Sequence, residues 1–175
     1  MADAPAEDLA LRLLLARGIG RALAQRGYAS LTEVSLANGR RADVMGLGRA
    51  GELMIVEVKS SLQDFRSDVK WPEYREYCDR FYFAVPENFP REAIPEDCGL
   101  IVADGFGAAV LREAPVLALP AARRKAVTLR FALLGSERLR RLVDPGDAEI
   151  VLPGGAGGCC GRDPVDGLGH CPSSA

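Results

Sequence analysis

Asp43, Glu57 and Lys59 stand within residues 40–61, RRADVMGLGRAGELMIVEVKSS, whose apolar positions read as two β-strands joined by a turn. A charge in mid-sheet is costly unless it has a partner, a metal or a place at the edge of the core. Glu57 and Lys59 are two apart and share one strand face, while Met54, Val56 and Val58 take the other and supply core. Asp43, on the preceding strand, can lie beside Glu57 across the ladder. Glu33, one strand earlier, is a candidate to join them. Converging carboxylates repel unless a cation sits among them, and such hard oxygen ligands suit Mg²⁺ or Mn²⁺. A nearby Lys would orient or deprotonate a water, or offset phosphate charge. The set therefore suits metal-assisted attack of water on a phosphodiester. The plainer reading is a structural ion pair at a sheet edge, with Glu33 on the solvated side of a hairpin.

These residues need elements to position them. Leu11, Leu15, Ile19 and Leu23 recur every four residues, with Arg12, Arg17, Arg21 and Arg26 between them, which predicts an amphipathic helix over residues 7–26 ended by Gly27. Asn38-Gly39 marks a hairpin, and a second turn at residues 48–51 leads to a third strand, giving a three-strand antiparallel meander. Residues 62–70 read as a linker or short helix. Pro72 suits the first position of a helix over residues 72–78. Strands follow in DRFYFAVP, CGLIVAD and AAVLREA, then a long helix ending near residue 143. The order predicts an α/β or α+β fold on one central sheet flanked by helices. Residues 1–144 form one domain, and residues 145–175, rich in Gly and Pro without periodicity, read as a disordered tail.

The 175 residues are 48% hydrophobic and 26% charged with a net charge of −2, an ordinary globular balance. The one His, His170, lies near the C-terminus, so no Ser-His-Asp triad, Cys-His pair or multi-His zinc site can form in the body. Carboxylates, Lys, Tyr or an oxygen-bound metal must carry any chemistry. Of the five Cys, Cys78 and Cys98 stand alone and unpatterned in the body, which fits a reducing cytoplasm. No stretch is long and apolar enough to span a membrane, and acids near the N-terminus argue against a secretory signal. Cys159, Cys160, His170 and Cys171 match none of the common zinc-ligand spacings.

The spacing RAD-x13-EVK resembles the core motif of the PD-(D/E)XK nuclease superfamily, with Asp43 as the first acid and Glu57 and Lys59 as the (D/E)-x-K pair. Ala42 stands where that motif usually has Pro, and Gln63 precedes the place of a frequent helical Gln. More narrowly, GRRADVMGL, the run from Ile55 to Pro86, GLIVAD and ARRKAVTLRFA resemble the bacterial MmcB-like DNA repair proteins. The resemblance implies a restriction-endonuclease-like α-β-β-β-α-β core with a central mixed sheet, and a role in repair of damaged or structured DNA. It implies catalysis through Asp43, Glu57 and Lys59 with Mg²⁺ or Mn²⁺ held by Asp43 and Glu57. A non-catalytic DNA-binding accessory and a protein-interaction module are the alternatives.

Candidate DNA contacts are Lys70, Trp71 and Tyr74 after the motif, and Arg123, Arg124 and Lys125 on the last helix. That helix carries seven Arg and Lys against one Glu, the local charge a phosphate backbone requires. The competing reading makes Trp71 core and the basic residues a solvated face.

Overall fold

Leu15, Ile19 and Leu23 give α1 (Ala4–Gln25) one buried stripe, and the sheet beneath supplies its partner. The computed structural model describes residues 4–145; the tail and the Cys159, Cys160, His170 and Cys171 set lie outside the described residues. After α1 come β1 (Tyr28–Ser35), β2 (Arg41–Gly48) and β3 (Leu53–Val58). Then follow α2 (Leu62–Ser67), a 3₁₀ helix (Trp71–Tyr77), β4 (Arg80–Val85) and a short 3₁₀ turn (Arg91–Ala93). β5 (Gly99–Ala103), β6 (Ala108–Arg112) and α3 (Ala121–Val143) complete the order. The sheet has six strands in sequence order. β1, β2 and β3 pair antiparallel, as the meander predicts; β3–β4 and β4–β5 are parallel, and β6 returns antiparallel. Parallel neighbours need a crossover, which α2 and the longer 3₁₀ helix provide between β3 and β4. This is a mixed-sheet α+β fold that reproduces the expected α-β-β-β-α-β order.

α1 packs on Val44, Met54, Val56, Val58, Tyr82 and Ala84. At Gly18 it comes so close to the β5–β6 turn that a Cβ would stand 2.0 Å from the Asp104 carbonyl oxygen. The opposite face carries Leu53, Ile55, Phe81, Phe83 and Val85 under α2, the longer 3₁₀ helix and α3. Every residue of β3 is buried. The face that Glu57 and Lys59 share is therefore also core: Leu53 and Ile55 precede them on it, beneath a layer of aromatic rings. The helix expected over residues 72–78 is not α-helical. The segment is 3₁₀ over Trp71–Tyr77, which stacks Tyr74 and Tyr77 three apart on one buried side.

Two local devices position the site. Gly39 adopts φ +81° in the β1–β2 turn, as the Asn-Gly signal requires. Glu33 adopts φ +52°, the left-handed region that side chains other than Gly enter at a cost. Glu33 and Asp43 also face each other in the β1–β2 ladder without a registered pair: Thr32 pairs Val44, and Val34 pairs Ala42. Across this break the strands change face. Leu31, Val34, Ala42 and Met45 belong to the α3-side core, whereas Val44 belongs to the α1-side core.

Candidate active site

Asp43 sits where β2 leaves β3. Their registered pairs end at Val44–Val56, while β3 continues with β4 through Val58–Ala84. The two strands splay, and the gap carries both acids. Asp43 donates its backbone N–H to Glu57 Oε1 at 3.2 Å, and Asp43 Oδ2 accepts from the Val58 amide at 2.8 Å. Side chains thus replace the missing ladder bonds. Lys59 follows directly; its own amide donates to the Ala84 carbonyl at 2.8 Å, which keeps its backbone in line with the parallel strands.

The cluster is recessed. Glu57 is buried, the Lys59 side chain is 4% exposed, and the Asp43 side chain is 13% exposed. Burial, then the neighbouring Asp43 charge, pushes the Glu57 carboxyl well above the ordinary Glu value against the pull of Lys59. Burial also raises Asp43, with Glu33 adding to it, against Arg12, the Val58 amide and Lys59. Lys59 Nζ lies 2.6 Å from Asp68 Oδ2. Burial alone would raise Asp68, but the Lys59 bond and charge and the Lys70 and Trp71 amides outweigh it and hold Asp68 below the ordinary Asp value.

Arg12 of α1 closes the rim. It donates to Asp43 Oδ1 and Oδ2 at 3.3 and 3.2 Å and lies 3.7 Å from Asp64 Oδ2 on α2. Asp64 in turn accepts from the Ser60 amide at 3.2 Å, and its own amide bonds the Ser61 hydroxyl at 3.1 Å. Sequence reasoning singles out neither Arg12 nor Asp64 as part of the site. In the helical pattern Arg12 is one of four arginines between apolar positions, whereas Ser61-x-x-Asp64 is a legible helix-start signal.

The structure brings Asp43, Glu57 and Lys59 together and does not add Glu33 as a third ligand-like carboxylate. Glu33 pairs with the exposed Arg41 instead, while Arg138 donates to the Thr32 and Glu33 carbonyls at 2.7 and 3.2 Å. Among the described residues no group of three His, Cys, Asp or Glu is gathered around one point. Two hard carboxylates strained by mutual repulsion fit Mg²⁺, which uses one or two carboxylates and fills its remaining positions with water or phosphate oxygens.

The expected DNA contacts divide. Lys70 is exposed, and its amide bonds Asp68 Oδ1 at 3.1 Å, so it borders the site. Trp71 stacks on Phe81 with centroids 5.6 Å apart. Tyr74 is buried and donates to the Arg41 carbonyl at 3.1 Å; burial and the nearby Glu57 and Asp43 charges push its phenol up. Arg123 pairs with Glu76 at 2.7 Å. Arg124 grips Asp79 with both nitrogens at 2.5 and 2.6 Å, while Lys125 is exposed. Much of the basic charge on α3 is therefore engaged within the molecule. No described helix is long and apolar enough to cross a membrane.

No curated protein matches this chain. It is similar to the SPO1766 protein of unknown function from Silicibacter pomeroyi, with 45% identity over 78% of this chain and 93% of that one, at a TM-score of 0.76. A repair endonuclease from Pyrococcus abyssi aligns at 18% identity over 41% of this chain and 34% of its own, at a TM-score of 0.30. A family model described as DNA repair protein MmcB-like matches residues 3–146. Since that span holds the whole described fold and the splayed carboxylate gap within it, the chain belongs to the MmcB-like family of DNA repair proteins.

Proposed function

We propose that this DNA repair protein is a divalent-cation-dependent deoxyribonuclease that hydrolyses phosphodiesters at the β2–β3 gap. The observation that carries the reading is the pair of carboxylates from adjacent strands, crossed by backbone bonds, with the Lys59 charge acting on both. Asp43 and Glu57 would hold Mg²⁺ or Mn²⁺, which supplies Lewis-acid polarisation of the phosphate and acidifies water. The chain does the rest. The splay fixes both carboxylates before a substrate arrives, so no reorganisation is needed at the moment of reaction. The buried Lys59, aimed by Asp68, offsets charge that builds on the phosphate oxygens. Lys70 at the rim, and Lys125 on α3, offer backbone-phosphate contacts.

A second reading, DNA binding without cleavage, draws on the engagement of Asp43 by Arg12 and of Lys59 by Asp68. One experiment separates them. Wild type, Asp43→Asn and Glu57→Gln are assayed with Mg²⁺ and Mn²⁺ on single-stranded, duplex, flapped and branched DNA. Cutting by wild type alone, abolished by EDTA, supports the nuclease. Salt-sensitive retention of DNA with no cutting in any metal supports the accessory.

A further inference from the structure

Arg12 bridges both helical layers at the mouth of the gap. It comes from α1 on one side of the sheet, touches both oxygens of Asp43, and reaches Asp64 of α2 on the other side. Its side chain is 32% exposed, so it can leave without unpacking a core. It supplies positive charge to one of the two carboxylates assigned to the metal. Resting on that assignment, we propose that Arg12 is an internal counter-ion that competes with the divalent cation for Asp43, so that metal binding requires the guanidinium to let go.

Three features support an exchange over a fixed strut. The Arg12–Asp43 bonds, at 3.2 and 3.3 Å, are longer than the 2.8 Å bond from the Val58 amide, so the backbone and not Arg12 orients the carboxylate. Asp64 keeps its Ser60 bonds and can retain the guanidinium after Asp43 is released. Arg12 contacts both Asp43 oxygens, so its fixed positive charge occupies the side of the carboxylate that a cation would use. A guanidinium cannot shed its proton to make way; it must move.

The test is calorimetric titration of Mn²⁺ into metal-free protein without DNA, for wild type, Arg12→Met and Arg12→Lys. Removing a competitor tightens binding: Arg12→Met should bind Mn²⁺ about fivefold or more tightly than wild type, with Arg12→Lys between them. A merely structural arginine predicts the reverse, because its loss loosens the site. In EDTA, Arg12→Met should melt below wild type, and saturating Mn²⁺ should close that difference; circular dichroism confirms the fold of each variant. Equal or weaker Mn²⁺ binding by folded Arg12→Met, when wild type binds, overturns the proposal and leaves the nuclease reading intact. Absence of Mn²⁺ binding by every variant removes the metal site, and both readings fall together.

Discussion

The Asp43 amide points at Glu57 while the Asp43 carboxylate receives the amide of Val58, so two acids stand in for a rung of the sheet. Each carboxylate is held by backbone, and Asp43 also accepts from Arg12 on both oxygens. That arrangement fixes geometry at the expense of charge: neither acid can swing away to relieve the repulsion. The pair is therefore a place where electrostatic cost is stored.

The cost should be visible as pH-dependent stability. The folded Glu57 carboxyl binds its proton more tightly than in the unfolded chain, because burial and Asp43 disfavour the charge. Between the two values the folded state holds more protons, so stability falls as pH rises. Glu57→Gln removes that loss and can still accept the Asp43 amide. In EDTA at about pH 7.5 it should melt above wild type by about 2–5 °C, equivalent to roughly 1 kcal/mol, and the gain should vanish near pH ~4.5. Differential scanning calorimetry across that range decides it; a gain that stays constant with pH cannot come from ionisation of Glu57.

Lys59 and Asp68 should behave as one unit. Asp68→Ala leaves a nearly buried ammonium without its carboxylate, whereas Lys59→Met with Asp68→Ala removes the charge as well. A double-mutant cycle in urea should give a coupling of about 1–3 kcal/mol. Asp68 is held below its ordinary value, so its contribution is present above the unfolded pKa and is lost as pH falls through the lower folded one. The coupling should accordingly shrink in acid.

Asp79 should matter for stability and not for chemistry. It accepts the Leu53 amide at 2.7 Å and both Arg124 nitrogens, so it ties the start of β3 to α3. Asp79→Ala should cost about 2–4 kcal/mol by chemical denaturation, and Arg124→Ala should destabilise as well. If Arg124→Ala instead leaves stability untouched and weakens only DNA binding, the structural assignment of that arginine is wrong.

Cys78 and Cys98 should resist labelling in the native state. Burial pushes the Cys78 thiol up to about 12 and the Cys98 thiol up to about 11, leaving little thiolate at neutral pH. Mass spectrometry after brief iodoacetamide treatment should find both unmodified without denaturant and modified with it.

What the sequence makes legible is local. Leu11, Leu15, Ile19 and Leu23 announce α1 because helical period is a short-range property, and Asn38-Gly39 announces its turn for the same reason. Strand alternation is enough to put Glu57 and Lys59 on one face and Asp43 beside Glu57. The rest depends on distant partners. Arg12 and Asp43 are 31 residues apart, and nothing in the one-dimensional pattern distinguishes Arg12 from Arg17 or Arg21. Arg124 looks like a DNA contact until the fold brings Asp79 to it across 45 residues. Glu33 reads as a strand residue and a candidate ligand, and its left-handed backbone angle goes unseen, since such an angle at a non-glycine leaves no mark in composition.

The change of face at Glu33 and Asp43 has a simple arithmetic. With both residues deleted, Thr32–Val44 and Val34–Ala42 would become successive pairs, and the hairpin would alternate inward and outward from end to end. Such a shortened molecule would keep its cores and lose its first acid. The scaffold and this acid are thus separable in the genetic text: one surplus codon in each arm of a plain hairpin brings Glu33 and Asp43 into the ladder.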